Sequence, residues 1–400
     1  MNRRMNVCMV VHAYYLKDAR VRRYAELLAG LGHEVDVLCL NEGDEPEWEK
    51  HNGVYVYRVN VARRRGDALR YMLEYSQSFV KFAYKLITLK RTGKKYDIFH
   101  IHNFPNFLVF TCMLQKYLGA KIILDMHDPM PELFMSKFCV DNNHPLIRVL
   151  LSEERLSLKF ADFVIVVNDF VQEFIVKRGF PKSKTAVIMN SPDKKFYFGG
   201  NDYHDRPIQK DRFEILYVGT ISKRYGLETL IEAIGKIIRS GRIPNLRLTF
   251  MPKLKDEGDY ARALLKRING LGLNGQFRIL EPAAHDLMPD VLRRADLSVY
   301  TPNPDIHMDI ALSLKIPEVI AIGRPIVASR LSVLEKYFGE ECLFMFAPGN
   351  AEECAARIIE VYDRPEEVGV RVKKAQSALE KFSWEKQSQI YLGIINSLWN

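Results

Sequence analysis

Three short stretches gather side chains able to do chemistry. In SLKIPEVIAIGRPIVAS, residues 313 to 329, Glu318 stands three residues after Lys315 and five before a Gly323-Arg-Pro turn that leads into a β-branched run. The start is too polar for a plain core element and the end too apolar for a surface loop. The spacing therefore predicts a helix start, a short helix, a turn and a strand. A carboxylate there can accept hydrogen bonds from a ligand; the plain alternative is a solvated helix glutamate. In YVGTISKRYG, 217 to 226, Gly219 stands where the chain leaves a strand, and a glycine there permits close approach and unusual dihedrals. In KIILDMH, His127 ends a strand and is followed by Asp128 and two prolines. Either ring nitrogen can hydrogen-bond a hydroxyl, although a lone histidine is often structural.

The elements that must position these residues alternate. VCMVVHA (7 to 13), VDVLCL (35 to 40), VYVYRV (54 to 59), YDIFHIH (96 to 102), KIILDMH, FVIVVN (163 to 168) and TAVIMN (185 to 190) read as strands. Helical patterns separate several of them, at 19 to 32, about 66 to 90, and through Leu118. Such alternation implies a parallel sheet covered on both faces. SPDKKFYFGGNDYHDRPIQKDR, 191 to 212, breaks the rhythm and reads as a linker. The rhythm then restarts with FEILYVG (213 to 219), LRLTFM, FRILEP, LSVYTP, PIVAS and CLFMFAPG, again interleaved with helices. The expected fold is α/β, with two doubly wound Rossmann-like domains facing a central cleft where both sheets present their carboxyl ends. The divisions drawn are 1–195, 196–375, and a helix at 376–400 crossing back to the first domain.

Composition narrows the class. Four hundred residues, 48% hydrophobic and 27% charged, give a globular chain of two domains. The six cysteines are widely spaced without metal-ligand rhythm and read as buried small hydrophobes in a reducing cytosol. The N-terminal MNRRMNVCMVV reads as a first core strand, not a signal peptide. No run is long and apolar enough to span a membrane. A net charge of +9 points to an anionic partner: nucleic acid, an anionic membrane or a phosphorylated small molecule.

The order of elements, the Gly-Thr turn after the first strand of the second half, ADLSVYTP, PEVIAIGRPIVAS and the FSWE near the C-terminus resemble the retaining glycosyltransferases of family 4. The resemblance covers nearly the whole chain and is strongest from 213 to 390. It implies a GT-B type fold whose C-terminal domain holds a nucleotide-diphosphate sugar and whose N-terminal domain holds most of the acceptor. The donor is then a co-substrate, with no resident cofactor and no metal.

By this resemblance Glu318 matches the ribose-binding final glutamate of the E-x7-E pattern. The first glutamate would fall at Ile310, with Asp309 out of register by one. Ser313, Lys315 and Glu318 instead match a Ser/Asn-x-Lys-x-x-Glu form, in which Lys315 is either a cation near phosphate or a solvated side chain. Thr220 stands where the family commonly has arginine. Lys223 or Arg224, of which Arg224 is favoured, matches the lysine near the end of that turn, as a fixed cation over the diphosphate. Lys253 is placed as a second phosphate cation, and Glu281 to Ala283, including Pro282, where relatives present backbone groups to the base. His127 falls near the sugar and acceptor, with Asp128 and Glu132 as weaker neighbours. The catalytic set is His127, Arg224 and Glu318. Absence of a clear nucleophile fits a same-face mechanism in which the donor's β-phosphate oxygen helps deprotonate the acceptor. In HAYYLKDAR, 12 to 20, Tyr14, Tyr15, Lys17 and Asp18 replace a frequent glycine pair, and Asp18 reads as a helix cap.

Residues 60 to 94 cluster basic side chains around an aromatic-rich helix. Such a face either lies on an anionic membrane or is the solvated side of a helix packed on the sheet. The first reading implies a lipid-linked acceptor in polysaccharide or glycolipid assembly, at the inner face of the membrane; a soluble sugar acceptor fits the second. A nucleic-acid partner lacks a module, and a dinucleotide oxidoreductase lacks G-x-G-x-x-G. A nucleotide-sugar epimerase of similar fold and a noncatalytic sugar-nucleotide-binding relative are the rivals.

Overall fold

A computed structural model describes residues 4–62, 68–193, 197, 211–252, 258–283 and 287–399. The chain divides into two compact units, 1–190 with 385–400, and 191–384. The first carries β1 (Asn6–Val11), β2 (Glu34–Leu40), β3 (Trp48–His51), β4 (Val54–Val59), β5 (Ile98–His102), β6 (Lys121–Met126), β7 (Phe163–Val166) and β8 (Thr185–Val187). Their order is β3-β4-β2-β1-β5-β6-β7-β8, parallel throughout except for the antiparallel β3–β4 pair. Strands β1, β2, β5 and β6 are buried almost continuously, as a sheet covered on both faces requires.

The edge strand β3 is absent from the sequence reading, yet its signal is present. Asn52 and Gly53 both take positive φ, 47° and 85°, and Asn-Gly favours the two-residue hairpin turn that joins β3 to β4. The run expected as a helix through Leu118 opens as a tighter turn of helix at Asn106–Cys112 before the α-helix Met113–Tyr117.

In the second unit β9 (Phe213–Gly219), β10 (Leu246–Pro252), β11 (Phe277–Ile279), β12 (Leu297–Tyr300), β13 (Ile326–Ser329) and β14 (Phe344–Phe346) form an all-parallel sheet, ordered β11-β10-β9-β12-β13-β14. The helix Leu227–Ser240 buries Leu227, Leu230, Ile231, Ile234 and Ile237, the three- and four-residue spacing of one helical face. Each such side chain contributes roughly 1.5–3 kcal/mol by leaving water. The return to the first unit comes at Glu385, later than position 376, because the helix Pro365–Leu379 places Val368 and Val372 in the second core.

Five cysteines are buried, but Cys139 is exposed. It closes the helix Met130–Phe138 in a left-handed conformation, φ 52°, a position at the end of the helix rather than in the core. Among the described residues no helix is long and apolar enough to cross a membrane.

Glu153, on the helix Pro145–Phe160, accepts from Ser157 Oγ (2.9 Å) and Asn106 Nδ2 (3.2 Å). Burial pushes its carboxyl up to about 7, outweighing those two bonds. A folded pKa above the unfolded one means that the group costs nothing at low pH. Stability is lost as pH rises from about 4.5 to about 7, then levels off. Glu153→Gln is therefore expected to stabilise the protein at pH 8, by on the order of 2–3 kcal/mol, and to do little near pH 4.5. Denaturant titrations of both proteins at the two pH values check this; a gap that does not widen with pH contradicts it.

Candidate functional site

Counting β9 as the first strand of its unit, the sheet runs 3-2-1-4-5-6, and its order reverses between β9 and β12. Open α/β sheets bind ligands outside the carboxyl ends of the strands at that point. Gly219 ends β9 there. A Cβ on Gly219 would lie 2.2 Å from Lys315 Nζ and 2.9 Å from the Tyr217 hydroxyl, so only glycine leaves room for that ammonium. The Tyr217 hydroxyl is itself fixed by donating to the Thr220 carbonyl at 2.7 Å.

Lys315 opens the helix Lys315–Ala321, which turns at Gly323 into β13. Its Nζ stands 5.0 Å from the Tyr225 ring centroid and 5.9 Å from that of Tyr217, within the range of cation–π attraction. Glu318 follows three residues on, where helical geometry returns a side chain to the same face. It is 9% exposed, and it lines one small cavity together with Lys315, Val218 and Tyr300. The ammonium thus stands at the carboxyl end of β9, and the carboxylate, on the same helix, shares a small cavity with Lys315.

Arg224 lies in the turn after β9, stitched to the segment following β12. Asn303 N donates to the Arg224 carbonyl (3.1 Å) and Thr301 Oγ1 to the Tyr225 carbonyl (3.0 Å). Its guanidinium faces residues 305–308, with Nη2 3.0 Å from both His307 Nδ1 and Met308 Sδ, and Nε 3.9 Å from Asp305. Thr220, Lys223 and Pro282 are exposed. Asp309 accepts from Ser332 N (2.8 Å) and Ser332 Oγ (2.6 Å), fixing the start of the helix Ser332–Tyr337, and Ile310 is buried. Lys253 lies outside the described residues.

In the first unit His127 follows β6 and belongs to a network that the sequence reading missed. Arg20 grips Asp125 with Nε and Nη2, both at 2.8 Å, and its Nη1 reaches the Ile188 carbonyl (2.8 Å) and Asn190 Oδ1 (3.0 Å). Asp125 Oδ2 also stands 3.1 Å from His102 Nδ1 and 3.3 Å from His127 Nε2. The His127 backbone N–H donates to Asn103 Oδ1 at 2.7 Å, which fixes where the ring begins. Burial alone would raise the Asp125 pKa, but Arg20 first, then His127 and the His102 bond, hold it well below the usual carboxylate range. Burial also lowers the pKa of His102, and lowers that of His100 further, which favours the neutral imidazole in both.

His100, His102 and Asp125 are close enough to share a metal ion. Both Asp125 oxygens are already engaged by Arg20, whose positive charge opposes a second cation, so the ion pair here is Arg20–Asp125, with His100 and His102 packed beside it. The signal for it was two histidines and an aspartate inside otherwise apolar strands, since a buried polar residue is the informative exception. A second pair, His12 Nε2 to Glu74 Oε1 at 2.9 Å, ties the loop after β1 to the helix Ala68–Arg91. Glu132 pairs with Arg178, which also holds Glu154 at 2.6 Å, and Asp128 presents its carbonyl to Asn103 Nδ2 at 2.9 Å. Asp18 caps the helix Ala19–Gly30 by accepting from Val21 N at 3.1 Å.

Comparison with known proteins follows the two units. Residues 18–191 match the glycosyl transferase 4-like domain and residues 212–364 the glycosyl transferases group 1. An uncharacterized glycosyltransferase of Methanocaldococcus jannaschii is 24% identical over 373 residues, covering 90% of this chain and 89% of that protein. Sucrose-phosphate synthase from Thermosynechococcus elongatus superposes with a TM-score of 0.76 at 18% identity, over 98% of this chain and 100% of that one. The Anabaena protein HepE, crystallised with UDP and glucose, superposes with a TM-score of 0.69 at 18% identity, over the same shares.

Proposed function

From the premise that the chain belongs to the glycosyltransferases with a 4-like domain followed by a group 1 domain, in a GT-B type fold, we propose that it is a retaining, metal-independent enzyme. It moves a sugar from a nucleotide-diphosphate sugar to a hydroxyl acceptor in polysaccharide or glycolipid assembly, on the cytoplasmic side of the membrane. The observation that carries this reading is the Lys315 ammonium packed on Gly219 at the carboxyl end of β9, with Glu318 three residues on along the same helix lining a cavity it shares with Lys315. Glu318 accepts hydrogen bonds from the two ribose hydroxyls. The Lys315 ammonium meets the diphosphate and stabilises the negative charge that grows on it as the bond to the sugar breaks.

The acceptor hydroxyl attacks the anomeric carbon from the face the diphosphate leaves. Its proton passes to the departing β-phosphate oxygen, and the anomeric centre passes through an oxocarbenium-like state. No protein nucleophile takes part, so the side chains act through charge and orientation. His127 hydrogen-bonds a sugar hydroxyl through its ring.

The test is thermal unfolding of the purified protein against UDP-, GDP-, ADP- and TDP-sugars, with Gly219→Ala alongside. A ligand of the native state raises the melting temperature with occupancy. One donor is expected to protect the parent. In Gly219→Ala the new methyl displaces the Lys315 ammonium, and loss of one charge-assisted contact weakens that donor about ten- to a hundredfold. If no donor protects at millimolar concentration, a sugar-binding or degenerate relative becomes the better reading, with Thr220 and Ile310 as its cause.

A further inference from the structure

The first unit holds a second, chemically different cavity. It measures about 390 Å³ and lies among the helices Ala68–Arg91, Met130–Phe138 and Pro145–Phe160 and the segment around Phe104 and Phe107. Its walls are nearly all apolar, with Tyr75, Phe107, Leu133, Phe134 and Leu150 prominent. Volume and lining are those of a site for a small apolar ligand. Two charged residues reach it, and they differ in depth. Glu153 is half-buried in the wall, while Lys137 is exposed, its Nζ donating to the Tyr71 hydroxyl at 3.0 Å and lying 4.4 Å from that ring's centroid. Arg70 and Arg148 are exposed on the two neighbouring helices.

That distribution orients an occupant. An anionic group placed deep would face the Glu153 carboxyl and lose its hydration, whereas one at the rim meets Lys137. Aliphatic carbon suits the interior, where it displaces nothing that hydrogen-bonds. We propose that this cavity takes the aliphatic chain of a phosphorylated single-chain lipid, with the phosphate at Lys137. In the setting of glycosyl transfer this chain is the lipid end of the acceptor. That last step rests on the function proposed above; binding of the chain itself does not.

The test titrates the full-length protein with n-alkyl phosphates of six to fourteen carbons below their micelle concentrations, by calorimetry, with no sugar nucleotide present. Affinity is expected to rise about fourfold per added methylene, the equivalent of about 0.8 kcal/mol, and to stop rising once the cavity is full. Ser76→Trp adds bulk to the lining from an exposed helix position, so the fold tolerates it, and is expected to end the rise at a shorter chain. Lys137→Glu is expected to weaken alkyl phosphates at least tenfold and to leave the matching alcohols unchanged. Absence of saturable binding overturns the proposal, as does affinity that climbs without a plateau in parent and Ser76→Trp alike. A dimer in light scattering that excludes alkyl phosphate also overturns it and gives the cavity to a second copy of the chain. Because the titration contains no donor, its failure leaves the donor protection assay standing, and the reverse holds too.

Discussion

Glu318→Ala is expected to abolish donor protection and to lower kcat/KM by two to three orders of magnitude while leaving the melting temperature of the donor-free protein nearly unchanged. At the lower end for charged partners, each hydrogen bond from a ribose hydroxyl to a carboxylate contributes about 1.5–2 kcal/mol, and two are lost together, so roughly 3–4 kcal/mol is at stake. The side chain lines a small cavity, and the donor-free melting temperature separates loss of the site from loss of the fold. Glu318→Gln sharpens the test. It keeps the shape and one acceptor oxygen, so it should retain part of the affinity. A Glu318→Ala protein that binds donor as tightly as its parent would remove the ribose assignment and, with it, the main support for the donor site.

Asp125→Ala is expected to act on the fold itself. It leaves the Arg20 guanidinium, 9% exposed, without its bidentate partner, and stranding one member of a buried pair costs about 3–5 kcal/mol. For a unit of this size that corresponds to a fall in melting temperature of roughly 10 °C. Arg20→Met combined with Asp125→Leu removes both charges and should recover much of the loss. If the double variant is no better than the single one, the pair is not what holds this part of the sheet. The depressed Asp125 pKa adds a pH signature. Stability from this group is fully present above the unfolded pKa, near 3.8, and is lost as pH falls through the lower folded value. The parent's advantage over Asp125→Ala should therefore persist to pH 4 and shrink only in stronger acid.

Much of the architecture was legible because it is written locally. FEILYVG, LSVYTP and PIVAS are short apolar runs bounded by turn residues, and β9, β12 and β13 fall within one or two residues of them. The helix, Gly323 turn and strand around Glu318 were readable for the same reason. The network at Asp125 was not. Its principal partner, Arg20, is 105 residues away in sequence, and His102 is 23 away. Neighbourhood across a sheet is set by strand order, which spacing along the chain does not carry. Arg224 shows the same limit from the other side. The turn that holds it was visible, but its engagement with His307 and Met308 depends on the loop after β12 folding back onto that turn.

The helix Trp384–Trp399 brings Tyr391 to His100, hydroxyl to Nδ1 at 3.0 Å, and Gln387 to the Met189 backbone N–H at 2.8 Å. The second unit is thus inserted within the first along the chain, and the first cannot be completed until residues 385–399 have been made. During synthesis the slot beside β5 stays open while about 190 further residues of the other unit emerge. Its exposed imidazole and apolar walls must wait in water. Folding order is therefore inverted: the part that begins first closes last, and a chain cut between residues 190 and 384 ends with its opening unit unsealed.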